Sequence, residues 1–209
     1  MNTGSFTFAA VIVAAGTSAR LGQPKQLLTV GGQPLIVRAV EAALHVGASP
    51  VVVVLGAYEE RIRRVLAGLP IAIVSNPQWA DGMGSSISAG VAHVVAQTTQ
   101  PDAMLISVCD QPHFQADTIK ALHTAFLSHD SIVAARYAGR VGVPVLFGRD
   151  YFEVLATLHG DKGARQILDE NAAHVVSMEL PELSTDLDTW EDYQKLSDKI
   201  TAGDGHIST

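Results

Sequence analysis

One stretch constrains this chain more than any other: Ala9-Ala10-Val11-Ile12-Val13-Ala14-Ala15-Gly16-Thr17-Ser18-Ala19-Arg20-Leu21-Gly22-Gln23-Pro24-Lys25. The apolar part is short, β-branched at Val11, Ile12 and Val13, and closed by glycine, which reads as a buried strand. Ala14, Ala15 and Gly16 bring almost no side-chain bulk, so a ligand can approach the backbone N–H groups there. Arg20 and Lys25 then offer positive charge to an anion held by the loop, and the combination suggests a polyphosphate cradle. It is not a P-loop, because Gly16 and Gly22 are too far apart and Gln23 follows in place of lysine. Nor is it the dinucleotide fingerprint, since no second glycine stands two places after Gly16. The plain alternative is a strand and a surface turn with two solvated cations.

Downstream, strand-like and helix-like segments alternate. Leu35 to Val46 has helical spacing behind Pro34, which suits a first helical position, and Val51–Leu55 reads as a strand buried on both faces. A helix over Glu59–Ala67 follows, with Arg61, Arg63 and Arg64 on a solvated face, and then a strand over Ile71–Val74. Strands over 103–108 and 131–135 flank a helix over 116–127. Val143–Phe147 reads as a further strand, in which Pro144 implies an edge or a bulge. Helices over 149–158 and 164–171, an extended piece over 173–178 and a helix over 190–200 complete the pattern. The expected fold is α/β: one domain over residues 1–200, a three-layer α/β/α sandwich on a Rossmann-like, mostly parallel sheet. The polar residues 201–209 are expected to form a flexible tail.

At 209 residues, 47 % of them hydrophobic, the chain can bury a substantial core. Its formal charge of −7 argues against nucleic acid as a partner, and requires any phosphate site to be locally positive and helped by a metal ion. No apolar run is long enough to cross a membrane. Residues 1–5 lack a basic leader pattern, and the single cysteine, Cys109, cannot pair within the chain, so a cytoplasmic setting is expected.

Three further segments carry chemistry. Asn76-Pro77-Gln78-Trp79-Ala80-Asp81-Gly82-Met83-Gly84-Ser85-Ser86 follows a strand and opens a helix, which presents backbone donors and hydroxyls to an anion or forms an ordinary N-cap. Trp79 either stacks on a ring or is buried. Cys109-Asp110-Gln111-Pro112 follows a strand, placing the Asp110 carboxylate at the sheet edge where open α/β folds hold ligands. Cys109 itself reads as a small buried filler. Asp186-Leu187-Asp188-Thr189-Trp190-Glu191-Asp192 offers a second carboxylate pair, of which Asp188 or Thr189 also suits a helix cap. No histidine or cysteine spacing points to zinc.

Ala14-Ala15-Gly16-x-Ser18-x-Arg20-Leu21-Gly22-x-Pro24-Lys25-x-Leu27-Leu28 resembles the signature loop of nucleotidyltransferases that include the molybdenum cofactor cytidylyl- and guanylyltransferases. The resemblance implies a fold of the nucleotide-diphospho-sugar transferase type, with the loop wrapping a nucleoside triphosphate and Arg20 and Lys25 neutralising its phosphates. Gly82-Met83-x-Ser85-Ser86-Ile87-x-x-Gly90 is similar to the segment that contacts base and ribose in the cytidylyltransferases. Asp110 is then a catalytic metal ligand and Asp188 its partner, favoured over Asp186, for Mg²⁺ as cofactor. Gly160-Asp161-Lys162-Gly163-x-Arg165 resembles an acceptor-binding segment of the same enzymes, giving Lys162 and Arg165 to the second substrate, with Gly142 and Pro144 lining the same cavity. The implied reaction is transfer of CMP from CTP to the terminal phosphate of molybdopterin, releasing pyrophosphate, with a recipient molybdoenzyme as a possible partner. Ala15, where guanylyltransferases show a second glycine, favours cytosine. The guanylyltransferase, another cytidylyltransferase with a small phosphorylated acceptor, and a nucleotide-sensing chaperone are the alternatives.

Overall fold

The computed structural model describes residues 6–18, 21–161, 163–185, 187 and 189–203, the last seven of these as backbone alone. Its frame is a seven-stranded sheet. In chain order the elements are β1 (Phe8–Ala14), β2 (Thr29–Val30), β3 (Gln33–Pro34), α1 (Leu35–His45), β4 (Val51–Leu55), α2 (Glu59–Val65), β5 (Ala72–Ser75), α3 (Met83–Val95) and β6 (Ala103–Val108). Then come α4 (Ala116–Ala125), β7 (Ile132–Tyr137), β8 (Arg140–Gly148), α5 (Phe152–Ala156), α6 (Ala164–Glu170), β9 (Val175–Glu179) and α7 (Trp190–Gly203). The sheet runs β5-β4-β1-β6-β8-β7-β9, while β2 and β3 form a separate two-stranded ribbon. All neighbouring pairs in the sheet are parallel except those of β8, which is antiparallel to both β6 and β7. The mostly parallel expectation therefore holds, with one inverted strand near the middle.

The alternation of β1 explains the layers. Ala10, Ile12 and Ala14 enter one core with Ile36 and Val40 of α1, Ile62 of α2 and Leu122 of α4. Ala9, Val11 and Val13 enter a second core with Ile87 and Val91 of α3, Leu155 of α5 and Ile167 of α6. A strand buried on both faces needs apolar residues at every position, and all seven of β1 are buried. α3 crosses β1 and β4 so closely that a Cβ on Gly90 would lie 2.4 Å from Val11 Cγ1 and 2.8 Å from Val54 Cγ2. A third, small cluster of Leu28, Val30, Leu35, Leu187 and Leu196 joins the segment after β1 to α7.

Two expectations need refinement. Pro34 precedes α1 as the last residue of β3, and the helix begins at Leu35. Pro144 marks a bulge in a central strand, not an edge: Ala134 pairs with Val145 but Ala135 with Gly142, so Val143 and Pro144 stand outside the β7 ladder. A residue without an N–H is tolerated where no ladder bond is demanded.

Candidate active site

The parallel strands β1, β4, β5 and β6 end at one edge of the sheet, and the loops leaving them form its rim. At the end of β1, Ala14 and Ala15 are buried and Gly16 is exposed with open space around it. The loop is braced from behind. Gln26 is 1 % exposed, and its amide donates to the carbonyls of Ala14 (3.1 Å) and Gly16 (2.9 Å). Ala57, from the loop after β4, donates its N–H to Ala15 O at 2.9 Å. The Ser18 hydroxyl accepts from the Lys25 N–H at 3.0 Å. With carbonyls engaged on the protein side, the N–H groups of Gly16, Thr17 and Ser18 donate to no backbone carbonyl among the described residues. Such an arrangement suits an anion.

Lys25 then reaches across to Asp110, two residues beyond β6, and its ammonium donates to Asp110 Oδ2. Both side chains are about one-fifth exposed, so the pair faces the rim without being sealed in. Asp110 Oδ1 is buried and accepts no hydrogen bond from any described residue. An ionised carboxylate oxygen left without a donor is costly, and a bound cation is what would satisfy it. Among the described residues no three His, Cys, Asp or Glu side chains gather to hold a metal. A Mg²⁺ site needs only one or two carboxylates, so Asp110 fits. The Leu187 N–H reaches the Asp110 carbonyl at 3.4 Å, and Leu187 is fully buried. Thr189 caps α7 in a reciprocal box: its N–H and hydroxyl donate to Asp192 Oδ2 at 3.0 and 2.6 Å, and the Asp192 N–H returns to Thr189 Oγ1 at 3.2 Å. Arg20, Lys162, Asp186, Asp188 and residues 204–209 lie outside the described residues.

The loop before α3 and the loop before α6 meet. Gly82, at φ 109°, leaves no room for a Cβ, which would come within 2.5 Å of Gly160 and Asp161. The Gly84 N–H donates to Gly160 O at 2.8 Å. Ser85 and Ser86 are engaged internally, each hydroxyl accepting from Asn76 Nδ2 at 3.0 Å, and Ser86 is buried. Met83 is exposed at the rim. Trp79 is half-buried and packs on the Gly56 backbone, where a Cβ would lie 2.5 Å from its ring. A cavity of about 240 Å³ brings Met83, Gly142 and Arg165 together, but Pro144 does not line it. Gln111 joins this cavity to Asp110: its amide donates to Tyr137 Oη (3.0 Å) and Val143 O (3.3 Å). Gln26, Asn76, Gln111 and Tyr137 drew no role from the sequence. Cys109 is buried, and burial together with the Asp110 charge pushes its thiol far up, so it stays protonated and inert. A concavity of about 860 Å³ lies at the opposite sheet edge among Phe6, Phe8, Pro50, Pro101 and His123, away from this chemistry.

The MobA-like NTP transferase domain matches residues 10–175, which span β1 through the start of β9 and include Lys25, Asp110 and the α3 loop. The chain belongs to the MobA-like NTP transferase family. Among relatives of this MobA-like chain, nicotine blue oxidoreductase of Paenarthrobacter nicotinovorans is 34 % identical, covering 89 % of this chain and 94 % of that one. Purine catabolism protein PucB of Bacillus subtilis is 29 % identical over 88 % and 92 %, and the molybdenum cofactor cytidylyltransferase of Escherichia coli is 24 % identical over 91 % and 96 %. The crystal structure of Rv0371c from Mycobacterium tuberculosis matches this MobA-like fold with a TM-score of 0.77 at 27 % identity, covering 94 % of this chain and 100 % of that one. A manganese complex of Rv0371c matches with a TM-score of 0.74 at 26 % identity, covering 92 % and 98 %. No helix among the described residues is long and apolar enough to cross a membrane.

Proposed function

We propose that this MobA-like transferase is a Mg²⁺-dependent cytidylyltransferase that joins CMP from CTP to the terminal phosphate of molybdopterin and releases pyrophosphate. The observation that carries the reading is the Lys25–Asp110 pair beside the Gly16 loop, with Asp110 Oδ1 buried and given no hydrogen bond by any described residue. Ala14, Ala15, Gly16, Arg20 and Lys25 would cradle the triphosphate, and Gly82, Met83, Ser85 and Ser86 the nucleoside. Asp110 and Asp188 would hold Mg²⁺, which supplies charge neutralisation at the α-phosphate. The anchoring of Leu187 on Asp110 supports a ligand from the segment that Leu187 belongs to. An acceptor phosphate oxygen attacks the α-phosphorus, and the bond to the bridging oxygen breaks, passing its electron pair to pyrophosphate. The attacker is already anionic, so no strong base is needed, and the chain's work is positioning and charge stabilisation. Gly142, Pro144, Lys162 and Arg165 would hold the acceptor. The choice of cytosine rests on Ala15 and on the similarity to the E. coli enzyme. Delivery to a recipient molybdoenzyme in the cytoplasm is part of the same proposal.

The test is pyrophosphate release on incubation with Mg²⁺, molybdopterin and each nucleoside triphosphate. CTP should be preferred over GTP, and Asp110→Asn should abolish the Mg²⁺-dependent rate while melting like the wild type. Full activity in Asp110→Asn would remove it from the site. A second reading, oxidation–reduction, is favoured by the 34 %-identical relative, and turnover of that relative's substrate without pyrophosphate would select it.

A further inference from the structure

Beyond the 240 Å³ cavity at Met83 and Gly142 lies a second, of about 310 Å³, whose wall carries Arg136, Arg140 and Arg165. Arg140 and Arg165 border both cavities, and Val141 and Leu168 give both an apolar side. Gln111, beside Asp110, donates to Tyr137 and Val143, which line the first cavity and not the second. Arg140 is presented by construction. The β7–β8 hairpin turns on Ala138 and Gly139, at φ 47° and 71°, and Tyr137 pairs with Arg140 directly after it.

The charges here are unevenly answered. Arg136 Nε donates to Ser177 Oγ at 3.1 Å and lies 3.3 Å from Glu179 Oε1. Arg165 is 3.9 Å from Asp169, at the limit of an ion pair. Arg140 has no ion pair among the described residues. Three guanidinium groups and one carboxylate, Asp169, line the concavity, so its wall stays positive on balance, and an oxyanion held among the arginines is attracted rather than repelled. The planar fork of arginine matches phosphate or carboxylate oxygens two at a time.

We propose that this cavity is a second anion subsite, holding an anionic group of the acceptor other than the phosphate that reacts. The inference rests on the transferase reading for its substrate but not for its chemistry. It assigns Arg140 and Arg136 as specificity residues and requires of the acceptor a second anionic group set apart from its reacting phosphate.

The direct test is calorimetric titration of the intact protein with inorganic phosphate and, separately, with succinate. Titrated in the Lys25→Ala protein, in which the cradle at Gly16 is weakened, at least one should still bind saturably, with an affinity lowered tenfold or more by adding Arg140→Ala and partly restored by Arg140→Lys. Whichever binds more tightly shows which oxyanion shape the site takes. Absence of saturable binding, or binding that falls with Lys25→Ala and not with Arg140→Ala, overturns the subsite. In steady state Arg140→Ala should raise KM for the acceptor about tenfold while leaving kcat and KM for CTP unchanged, and an unchanged acceptor KM overturns it. If no nucleotide releases pyrophosphate while the titration still depends on Arg140, the transfer reading falls and the anion subsite stands.

Discussion

Lys25 and Asp110 are 85 positions apart in sequence and share one proton-donating contact in the fold. That pairing has a consequence for order of binding. Under the proposed transferase reading, a divalent ion at Asp110 would meet the Lys25 ammonium already on Oδ2, and two cations on one carboxylate repel. Lys25 would then turn toward phosphate oxygens only when a nucleotide supplied them. Lys25→Ala should therefore bind Mn²⁺ at least as tightly as wild type without nucleotide, yet lose at least tenfold in turnover, about 1.4 kcal/mol of barrier. Manganese titration by paramagnetic relaxation and pyrophosphate release measure the two effects, and loss of both together would show a merely structural lysine. Each member of the pair was legible alone, because a carboxylate or lysine just after a strand end is an interpretable position. Their contact was not, since nothing local encodes which loops meet. Gln26, Asn76 and Gln111 were invisible for another reason: a glutamine that braces carbonyls is written with the same letter as a solvated one, and only burial separates them.

At the scale of elements, the sequence resolved the strands and helices of the parallel half almost to the residue, because each is apolar over its buried length. It understated β8, which begins at Arg140 and not Val143, since a single apolar residue, Val141, stands there between Arg140 and Gly142, and all three line a cavity. The two-residue turn at Ala138–Gly139 forces β7 and β8 to be antiparallel, and so inverts one strand in an otherwise parallel sheet. Gly139 suits such a turn, but Ala138, which also takes a positive φ here, is not a residue that announces one. The α3 crossing shows how packing overrides propensity. Replacing Gly90 with alanine gains roughly 1 kcal/mol of helix propensity. The added methyl overlaps Val11 and Val54, and overpacking of this kind costs about 1–3 kcal/mol. Two buried β-branched side chains, Val11 and Val54, bound the space, so the clash should win. Gly90→Ala is expected to lower the melting temperature by several degrees, read by calorimetry, and a variant that melts higher would show that α3 is free to move away from the sheet.

The whole molecule divides its labour between the two edges of one sheet. The edge at the strand C-termini carries Lys25 and Asp110, whereas the other edge is held by a polar clasp. There Asp102 accepts from the Thr7 N–H and hydroxyl, each at 2.9 Å on Oδ2, while Arg149 reaches Oδ1 at 3.0 Å and His129 stands 3.2 Å away. The Thr7 backbone bond, more than the neighbouring cations, holds the Asp102 carboxyl below its usual range. The native state thus prefers ionised Asp102 more strongly than the unfolded chain does, so this stability is present above the unfolded value of about 4 and is lost as pH falls through the lower native one. Asp102→Asn removes the charge and leaves one donor of the clasp without its acceptor, a loss of about 1 kcal/mol for a partly exposed group. Urea melts at pH 7 should show that loss, and the gap between variant and wild type should narrow as pH is lowered below about 4. A gap that stays constant down to pH 3 would remove Asp102 ionisation as its cause. Because the clasp and Asp110 lie at opposite edges, kcat of the folded variant at pH 7 should equal that of wild type. A changed kcat would mean that the β1 and β6 strands transmit strain from one edge to the other, and the separation of stability from chemistry in this fold would fail.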